Sequence, residues 1–410
     1  MRDGWKEVTL KHVAPYFTKK IDAKELNAAN YISADNMLVD KGGVTDSVYV
    51  PTSGKSTLYN QNDILVSNIR PYFKKIWYAK SDGGCSNDVI VFRTIDNIAD
   101  SKFIFYYLSK DDFFDYMMAG SNGTKMPRGN KKSIPDYSIL LPPLPTQRKI
   151  ASILSGYDNL IENNLRRIKL LEEKAQLTYE EWFVKMRFPG YETAVFDKLT
   201  ALPEGWQNKN LNEVIDVIID NRGKNPKYYS EHGIPVIDNY LITNKTYVDY
   251  SKCKRFIDEQ VYNNFIRKYL KPADILITLV GNGCGSISVA PKAKSVIIQN
   301  TVGLRCNNLC NQYFLYWYLI YNRKNIQNQN RGSAQPSIKV GDLLELKILL
   351  PNSDLMNLFA IKISPIFTCI ENLSSQNHLL KEARDILLPR LMSGMVDVEE
   401  LEIGTLEIAD

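Results

Sequence analysis

Residues 139–171 read ILLPPLPTQRKIASILSGYDNLIENNLRRIKLL, a short apolar strand running through a proline-rich joint into a long helix. Thr146 stands behind Pro145 as a helix cap, and Phe188-Pro189-Gly190 stops the helix, which is expected over about Gln147–Arg187. Inside it, seam positions recur in alternating steps of four and three: Ile150, Leu154, Tyr157, Ile161, then Asn164, Ile168, Leu171, Ala175, Thr178 and Trp182. A seam of that period belongs to a coiled coil and not to the surface helix of a globular core.

The same passage occurs twice. Ile139-Leu-Leu-Pro142 matches Ile348-Leu-Leu-Pro351, an offset of 348 − 139 = 209 positions, and Gly123-Thr-Lys-Met-Pro127 matches Gly332-Ser-Ala-Gln-Pro336 at the same offset. Ile161-Glu-Asn163 then falls on Ile370-Glu-Asn372, and Leu170-Leu171 on Leu379-Leu380. Upstream the offset drifts but the order holds. Asn62-Asp-Ile-Leu65 matches Ala273-Asp-Ile-Leu276, Phe103–Leu108 matches Phe314–Leu319, and Gly4-Trp5 matches Gly205-Trp206. An ordered series of this kind is an internal duplication.

The offset carries the seam onto Phe359, Ile363, Ile366, Ile370, Leu373, Asn377, Leu380, Arg384, Leu387 and Leu391. Arg384 interrupts this copy, Pro365 and Pro389 are expected to kink or delimit the helix, and Gly394 to stop it. Each seam holds one asparagine, Asn164 or Asn377; such a residue either fixes register from a buried position or sits exposed where the seam frays. Two matching seams in one chain should pair, and an antiparallel pair of about thirty-five residues would form a rod of roughly 50 Å with a globular domain at each end.

Ahead of each helix lies a mixed segment. Asp63–Ser67, Val89–Arg93, Asp274–Thr278 and Val302–Arg305 read as strands, and Phe103–Leu108 and Phe314–Leu319 as buried aromatic helices. The expected fold class is α+β: two similar mixed domains joined by two long helices in an antiparallel coiled coil, with pseudo-twofold internal repetition. The expected parts are domain one at 1–146, helix one at 147–187, domain two at 188–353, helix two at 354–394 and a tail at 395–410.

A chain of 410 residues with 44% hydrophobic and 24% charged residues is ordinary for a multidomain globular protein. Its net charge of +5 permits a nucleic-acid partner without demanding one. Six scattered cysteines and three histidines give neither a disulfide framework nor a metal motif, although Cys306 and Cys310 lie four apart. The N-terminus carries no secretory pattern, and apolar runs such as Tyr313–Tyr321 fall short of the roughly 18 residues a bilayer requires, so a cytoplasmic location is expected.

No catalytic signature emerges. Asn68-Ile-Arg-Pro-Tyr-Phe73 lacks the paired prolines of an amino-methyltransferase loop. Gly281-Asn-Gly-Cys-Gly285 and Gly120-Ser-Asn-Gly-Thr-Lys125 lack phosphate-loop spacing and read as turns. No catalytic residue and no metal ligand is assigned.

What recurs beside turns is a chemistry suited to DNA, since Arg and Lys pair with guanine, Asn and Gln with adenine, and lysines with phosphates. In the first half these residues are Lys55, Asn68, Arg70, Tyr72, Lys74, Lys75, Lys125, Arg128, Asn130 and Lys131. In the second they are Asn221, Arg222, Lys224, Lys227, Tyr228, Asn282, Gln299, Asn300, Arg331 and Gln335. Basic residues next to turns also describe an ordinary solvated loop.

Taken together, the Gly-Ser/Thr-x-x-Pro unit, the strand ending Leu-Leu-Pro and the joint Pro143-Leu-Pro-Thr-Gln-Arg-Lys-Ile150 resemble the junction of type I restriction–modification specificity subunits. Leu202-Pro-Glu-Gly-Trp206 and Ile386-Leu-Leu-Pro-Arg-Leu-Met-Ser-Gly394 are similar to that family as well, so the resemblance covers essentially the whole chain. It departs at Pro351-Asn-Ser-Asp-Leu-Met356, which replaces Pro142-Pro-Leu-Pro-Thr-Gln147 and puts the equivalence of two docking sites in question.

The resemblance implies that each domain reads half of a split double-stranded DNA target while the helices set the unread gap. It further implies two methyltransferase subunits supplying S-adenosylmethionine and motor-nuclease (restriction) subunits using ATP and Mg, with no cofactor bound by this chain. Two other classes stand beside it: an adaptor with two interaction modules on a coiled coil, and an enzyme whose nuclease or methyltransferase site is not recognised.

Overall fold

A computed structural model describes residues 4–401 apart from Asn122, Thr124, Asn282 and residues 331–335. The chain folds as two compact units, one formed by Met1–Leu160 with Leu380–Asp410 and the other by Ile161–Leu379.

In the first unit, Lys6–Thr9 pairs antiparallel with Ser138–Leu141. A three-stranded antiparallel sheet places Ile64–Ser67 between Ile76–Tyr78 and Val89–Phe92. Its central strand is an unbroken apolar run because both faces are covered. Ile64, Val66, Ile90 and Phe92 face a core with the helix Ser101–Leu108, while Leu65, Val89 and Val91 face a second core. That second core includes Ile32, Tyr59 and Cys85 from a four-stranded sheet ordered Lys20–Asp22, Lys55–Tyr59, Gly83–Cys85, Tyr31–Ile32.

The second unit repeats the plan with changes. Gln207–Asn210 pairs with Lys347–Leu350, as Lys6–Thr9 pairs with Ser138–Leu141. Ile275–Thr278 lies between Ile287–Val289 and Thr301–Cys306, and Ile215–Ile219 adds a fourth strand at the edge. Asp100 and Asn311 cap the buried aromatic helices, Ser101–Leu108 and Gln312–Tyr321, by accepting from the Phe103 and Tyr313 amides at 2.9 and 2.8 Å. The strands and aromatic helices expected from the duplication are all present in these positions.

The two long helices are Leu144–Tyr179, extended by a π-helical turn over Glu180–Val184, and Ser353–Met392. Two sequence expectations about their bounds need correction. The first helix begins at Leu144, not behind Thr146. Pro143 accepts its first helical bond, from the Gln147 amide at 3.0 Å, and Pro145 sits in the first turn, where a missing N–H is harmless. Pro365 and Pro389 do not break the second helix: both are on its exposed side, where water can serve the carbonyls they leave unbonded. Gly394 does stop it, in the left-handed conformation. The Met395 amide reaches the Arg390 carbonyl at 2.9 Å and the Gly394 amide that of Leu391 at 3.2 Å, the double closure of a Schellman motif.

Ser353–Met392 is also long and apolar enough, by length and composition, to cross a membrane, contrary to the short-run reading of the sequence. One side of it is packed in the protein: Phe359, Ile363, Ile366, Phe367 and Ile370 lie in the core of the second unit, and Leu388, Leu391 and Met392 in that of the first, while Leu358, Ile361, Leu379 and Ile386 are exposed.

Within each unit the helical segments run antiparallel. In the second unit Asn164 meets Asn377 and Trp182 meets Phe359, so an advance of 182 − 164 = 18 residues matches a retreat of 377 − 359 = 18. Among the seam residues Ile150, Leu154, Ile161, Ile363, Ile366, Ile370, Leu373 and both asparagines are buried, while Tyr157, Ile168, Leu171, Leu380 and Leu387 are half-buried. In the first unit Arg384, which interrupts the apolar pattern, pairs with Asp158 at 2.6 Å. Asp158 also accepts from the Tyr106 hydroxyl at 2.6 Å, and burial together with this carboxylate pushes that phenol well above its usual range.

Candidate nucleic-acid interface

At the end of each central strand the chain builds one backbone frame twice. In the first unit the Asn68 amide donates to the Asp88 carbonyl at 2.7 Å, Ile69 bridges Arg128, and the Arg70 amide donates to the Pro127 carbonyl at 2.7 Å. In the second unit the Leu279 amide donates to the Asn300 carbonyl at 2.6 Å, Val280 bridges Ser337, and the Gly281 amide donates to the Pro336 carbonyl at 2.9 Å. Strand register makes these residues equivalent, since Ser67 pairs with Val89 as Thr278 pairs with Thr301. The frame is kept and its side chains are exchanged: Asn68, Arg70, Asp88 and Arg128 stand where the other copy has Leu279, Gly281, Asn300 and Ser337.

Most first-half candidates gather here. Arg128 pairs with Asp88 at 3.3 Å, Lys131 reaches the Asn87 carbonyl at 2.9 Å, and Asn130 holds the turn below them through bonds to Lys132 and Ser133. Tyr72 is exposed and leans on Phe73, with ring centres 4.6 Å apart. Lys75 is tied to the Ala34 carbonyl at 2.6 Å, and burial lowers its pKa, with the neighbouring Arg70 charge acting the same way against Asp35. Lys125 is exposed on the approach to Pro127. Lys55 is not drawn into this network and stands exposed at the first position of its strand, opposite Asp22.

The structure adds Lys41 and Asp111, which sequence reading missed. Lys41 and Lys74 both bind the Asp111 carboxylate, at 3.0 and 2.8 Å. Burial alone would raise that carboxyl, but the bonds from Lys74 and Lys41 hold it below its ordinary value. Amides of Asp40 and Lys41 donate to the carbonyls of Phe73 and Lys74, both at 2.9 Å, so the 40–43 turn and the 70–74 turn form one ledge. Asp40-Lys-Gly-Gly43, a turn-forming string, is the signal that could have found it.

In the second half the candidates divide. Asn221 is corrected from DNA contact to internal clamp. It is 1% exposed, donates to the Lys268 and Ile297 carbonyls, and accepts from the Arg267 and Lys268 amides, which leaves no group for a base. Arg222 forks onto Asp220 with bonds of 2.6 to 3.1 Å; burial alone would raise that carboxyl, but these bonds hold it below its ordinary value and raise the guanidinium pKa. Lys224 lies over the Phe265 ring at 5.2 Å, Lys227 is exposed, and exposed Tyr228 donates to Asp258 at 2.9 Å. Gln299 holds Asn225 at 2.7 Å, and Asn300 carries a left-handed backbone within the shared frame. Asn282, Arg331 and Gln335 lie outside the described residues. On either side of Asn282, Gly281, Gly283 and Gly285 all have positive φ, and the Gly285 amide returns to the Thr278 carbonyl at 2.8 Å.

Gln147, prominent in the duplicated joint, is 1% exposed and binds the Asp100 amide and the Ile98 and Pro142 carbonyls. Met356 in the other copy is buried in an apolar core. Their difference therefore alters the interior and not a surface. Among the described residues no group of three or more His, Cys, Asp or Glu is placed to hold a metal ion.

A family model described as Type I restriction modification DNA specificity domain matches residues 2–173 and again 203–381. The Type I restriction enzyme MjaIX specificity subunit of Methanocaldococcus jannaschii is 26% identical over 73% of this chain and 70% of its own. The Type I restriction enzyme HindI specificity subunit of Haemophilus influenzae is 22% identical over 96% of this chain and 99% of its own. Among solved structures, the S subunit of a type I restriction–modification system from M. genitalium shares the fold at a TM-score of 0.61 and 18% identity, covering 94% of this chain and 96% of its own.

Proposed function

The chain belongs to the type I restriction–modification DNA specificity family, and we propose on that basis that it is the target-reading subunit of a DNA-modifying complex. Each unit reads one half of a split double-stranded target, and the paired helices fix the gap between the halves. The observation that carries this reading is the frame at the strand ends, built twice with the same backbone bonds and furnished with different side chains. Reading two different half-sites asks for that: a constant scaffold and variable hydrogen-bonding groups at base edges.

The chain itself is non-catalytic on this reading. Methyltransferase subunits dock on the helices, bind S-adenosylmethionine and act on the base; motor-nuclease subunits with ATP and Mg complete a cleaving complex. The site of action is the cytoplasm.

Co-expression with the methyltransferase subunit, followed by genome-wide mapping of modified adenines, tests this. One split motif with a fixed gap, lost when the chain is omitted, is the expected result. An assembled complex that adds no methylation would favour an adaptor with two interaction modules.

A further inference from the structure

The two copies of the strand-end frame differ most at one position. Arg70 has φ 48° and ψ 63°, the left-handed region, and its counterpart Gly281 has φ 88°. Glycine takes that conformation without steric cost, whereas a residue with a Cβ is disfavoured there. The backbone leaves Arg70 no freedom to relax. Its amide is held by the Pro127 carbonyl at 2.7 Å, and its carbonyl accepts from the Phe73 amide at 2.9 Å. Lys74, at the other end of the same short turn, is left-handed as well. One copy thus uses the strain-free residue, while the other keeps an arginine in a position that disfavours it. Strain of this kind persists where the side chain has a task.

The surroundings indicate which task. Neighbouring basic groups are already engaged: Arg128 with Asp88, Lys74 with Asp111, and Lys75 with the Ala34 carbonyl. Arg70 differs, because its Nε is buried without a hydrogen-bond partner. Two residues earlier Asn68 is almost fully buried, and its Oδ1 also has no partner. A Cβ on Gly129 would stand 2.8 Å from that oxygen, so glycine there keeps room for the carboxamide. A buried donor and a buried acceptor, both unanswered, lie two residues apart in the frame. Unpaired buried polar groups are costly in the free protein. Arg70 as a whole is half-exposed, so turning its guanidinium to an arriving acceptor would remove its share of that cost.

We propose that Arg70 is a base-reading residue of the first unit, directing its guanidinium to the O6 and N7 acceptors of a guanine. This rests on the target-reading function proposed above. A phosphate contact is the weaker assignment, because a phosphate needs only a mobile positive charge, which any surface lysine supplies. A strained, fixed backbone matters when a planar fork must meet two acceptors at once. The second unit, with Gly281 at this position, must read its half-site from other residues of the frame.

The test is the adenine-methylation map of the complete complex carrying wild-type chain, Arg70→Gly or Arg70→Asn. Glycine reproduces the other copy, and asparagine tolerates the left-handed backbone, so neither is expected to disturb the fold. The expected result in both variants is that one guanine in one half-site becomes degenerate. Methylation of sites with another base there should rise roughly tenfold relative to cognate sites, while the other half-site and the gap stay fixed. An unchanged motif in both variants would overturn the assignment. So would a uniform fall in methylation with the motif intact, which makes Arg70 a phosphate contact. A wild-type complex with no split motif would overturn the proposed function, and this assignment with it.

Discussion

Asn164 donates from Nδ2 to the Oδ1 of Asn377 over 3.0 Å, and both residues are buried in the helix seam. The Asn377 Nδ2 also reaches the Ile161 carbonyl at 3.5 Å. Sequence alone left open whether these residues were buried or exposed at a fraying end; the structure shows each as the other's partner. Sliding either helix by one residue would bury two unpaired carboxamides among aliphatic side chains. The pair therefore selects one register out of several that the aliphatic residues alone would accept.

Replacing one asparagine by leucine should destabilise the chain by roughly 1–3 kcal/mol, because the remaining carboxamide loses its partner. The double change Asn164→Leu with Asn377→Leu should recover most of that loss. Its cost falls on register instead: methylation maps should show a mixture of gap lengths. Denaturant midpoints of the two single variants and the double variant check the first part. Two harmless single changes would show that the hydrogen bond does not hold the seam.

A second pair is duplicated with the fold. Arg305 forks onto Asp274 through Nε at 2.8 Å and Nη2 at 2.6 Å, and Arg93 grips Asp63 in the same way, both bonds at 2.7 Å. Asp274 and Asp63 are 1% and 2% exposed. Arg305→Ala leaves a buried carboxylate without its countercharge, answered only by the Lys271 amide at 2.7 Å, and should cost about 3–5 kcal/mol. Arg305→Met with Asp274→Leu should cost less, since no charge remains to be solvated. Thermal unfolding of the three proteins gives the comparison. If the double variant proved as unstable as Arg305→Ala, lost packing rather than the orphaned charge would be the cause.

The ledge made by the 40–43 and 70–74 turns is closed by Asp111, whose carboxyl is held low by Lys74 and Lys41. A carboxyl with a lowered folded-state pKa adds stability above its unfolded value, near 4, and loses it as pH falls through the folded value. Asp111→Asn should therefore be less stable than wild type at pH 7, by no more than roughly 1 kcal/mol because the pair is half-exposed. The difference should shrink steadily below about pH 4. Unfolding curves at pH 7 and pH 3 decide the matter, and a gap that persists unchanged at pH 3 would rule out the ion pair as its source.

What could be read in advance follows from where the information lies. The long helices, the buried strands and the aromatic helices are local patterns of period 3.5 or continuous apolar runs, so residues such as Ile150, Leu154 and Ile64 reveal their own burial. Relations between distant residues were not legible in the same way. Arg384 reads as a flaw in the seam until Asp158 is found beside it. Asn221 reads as a DNA contact until its four backbone bonds are seen. The Asp63–Arg93 and Asp274–Arg305 pairs did leave a trace, since both members recur in the two matched strands of each repeat. Among the interface candidates, residue type points only to turns; strain and missing partners, which single out Arg70, exist only in three dimensions.

Helix length itself should be a readable quantity. With seam positions meeting in antiparallel register, seven residues added to one helix alone would carry Asn164 past Asn377 and leave both unpaired. Seven residues added to both helices, on the same side of the asparagine pair, preserve every seam contact and lengthen the pair by about 10 Å. At about 3.4 Å per base pair, that corresponds to roughly three base pairs. The complex carrying the doubly extended chain should methylate the same two half-sites with a gap longer by about that amount, and the singly extended chain should lose stability before it changes the gap. Methylation maps of the three complexes separate these outcomes. If the double extension altered the half-sites themselves, the helices would be shaping the reading surfaces and could not be a simple spacer. If it left the gap unchanged, the distance between the halves would be set elsewhere in the complex.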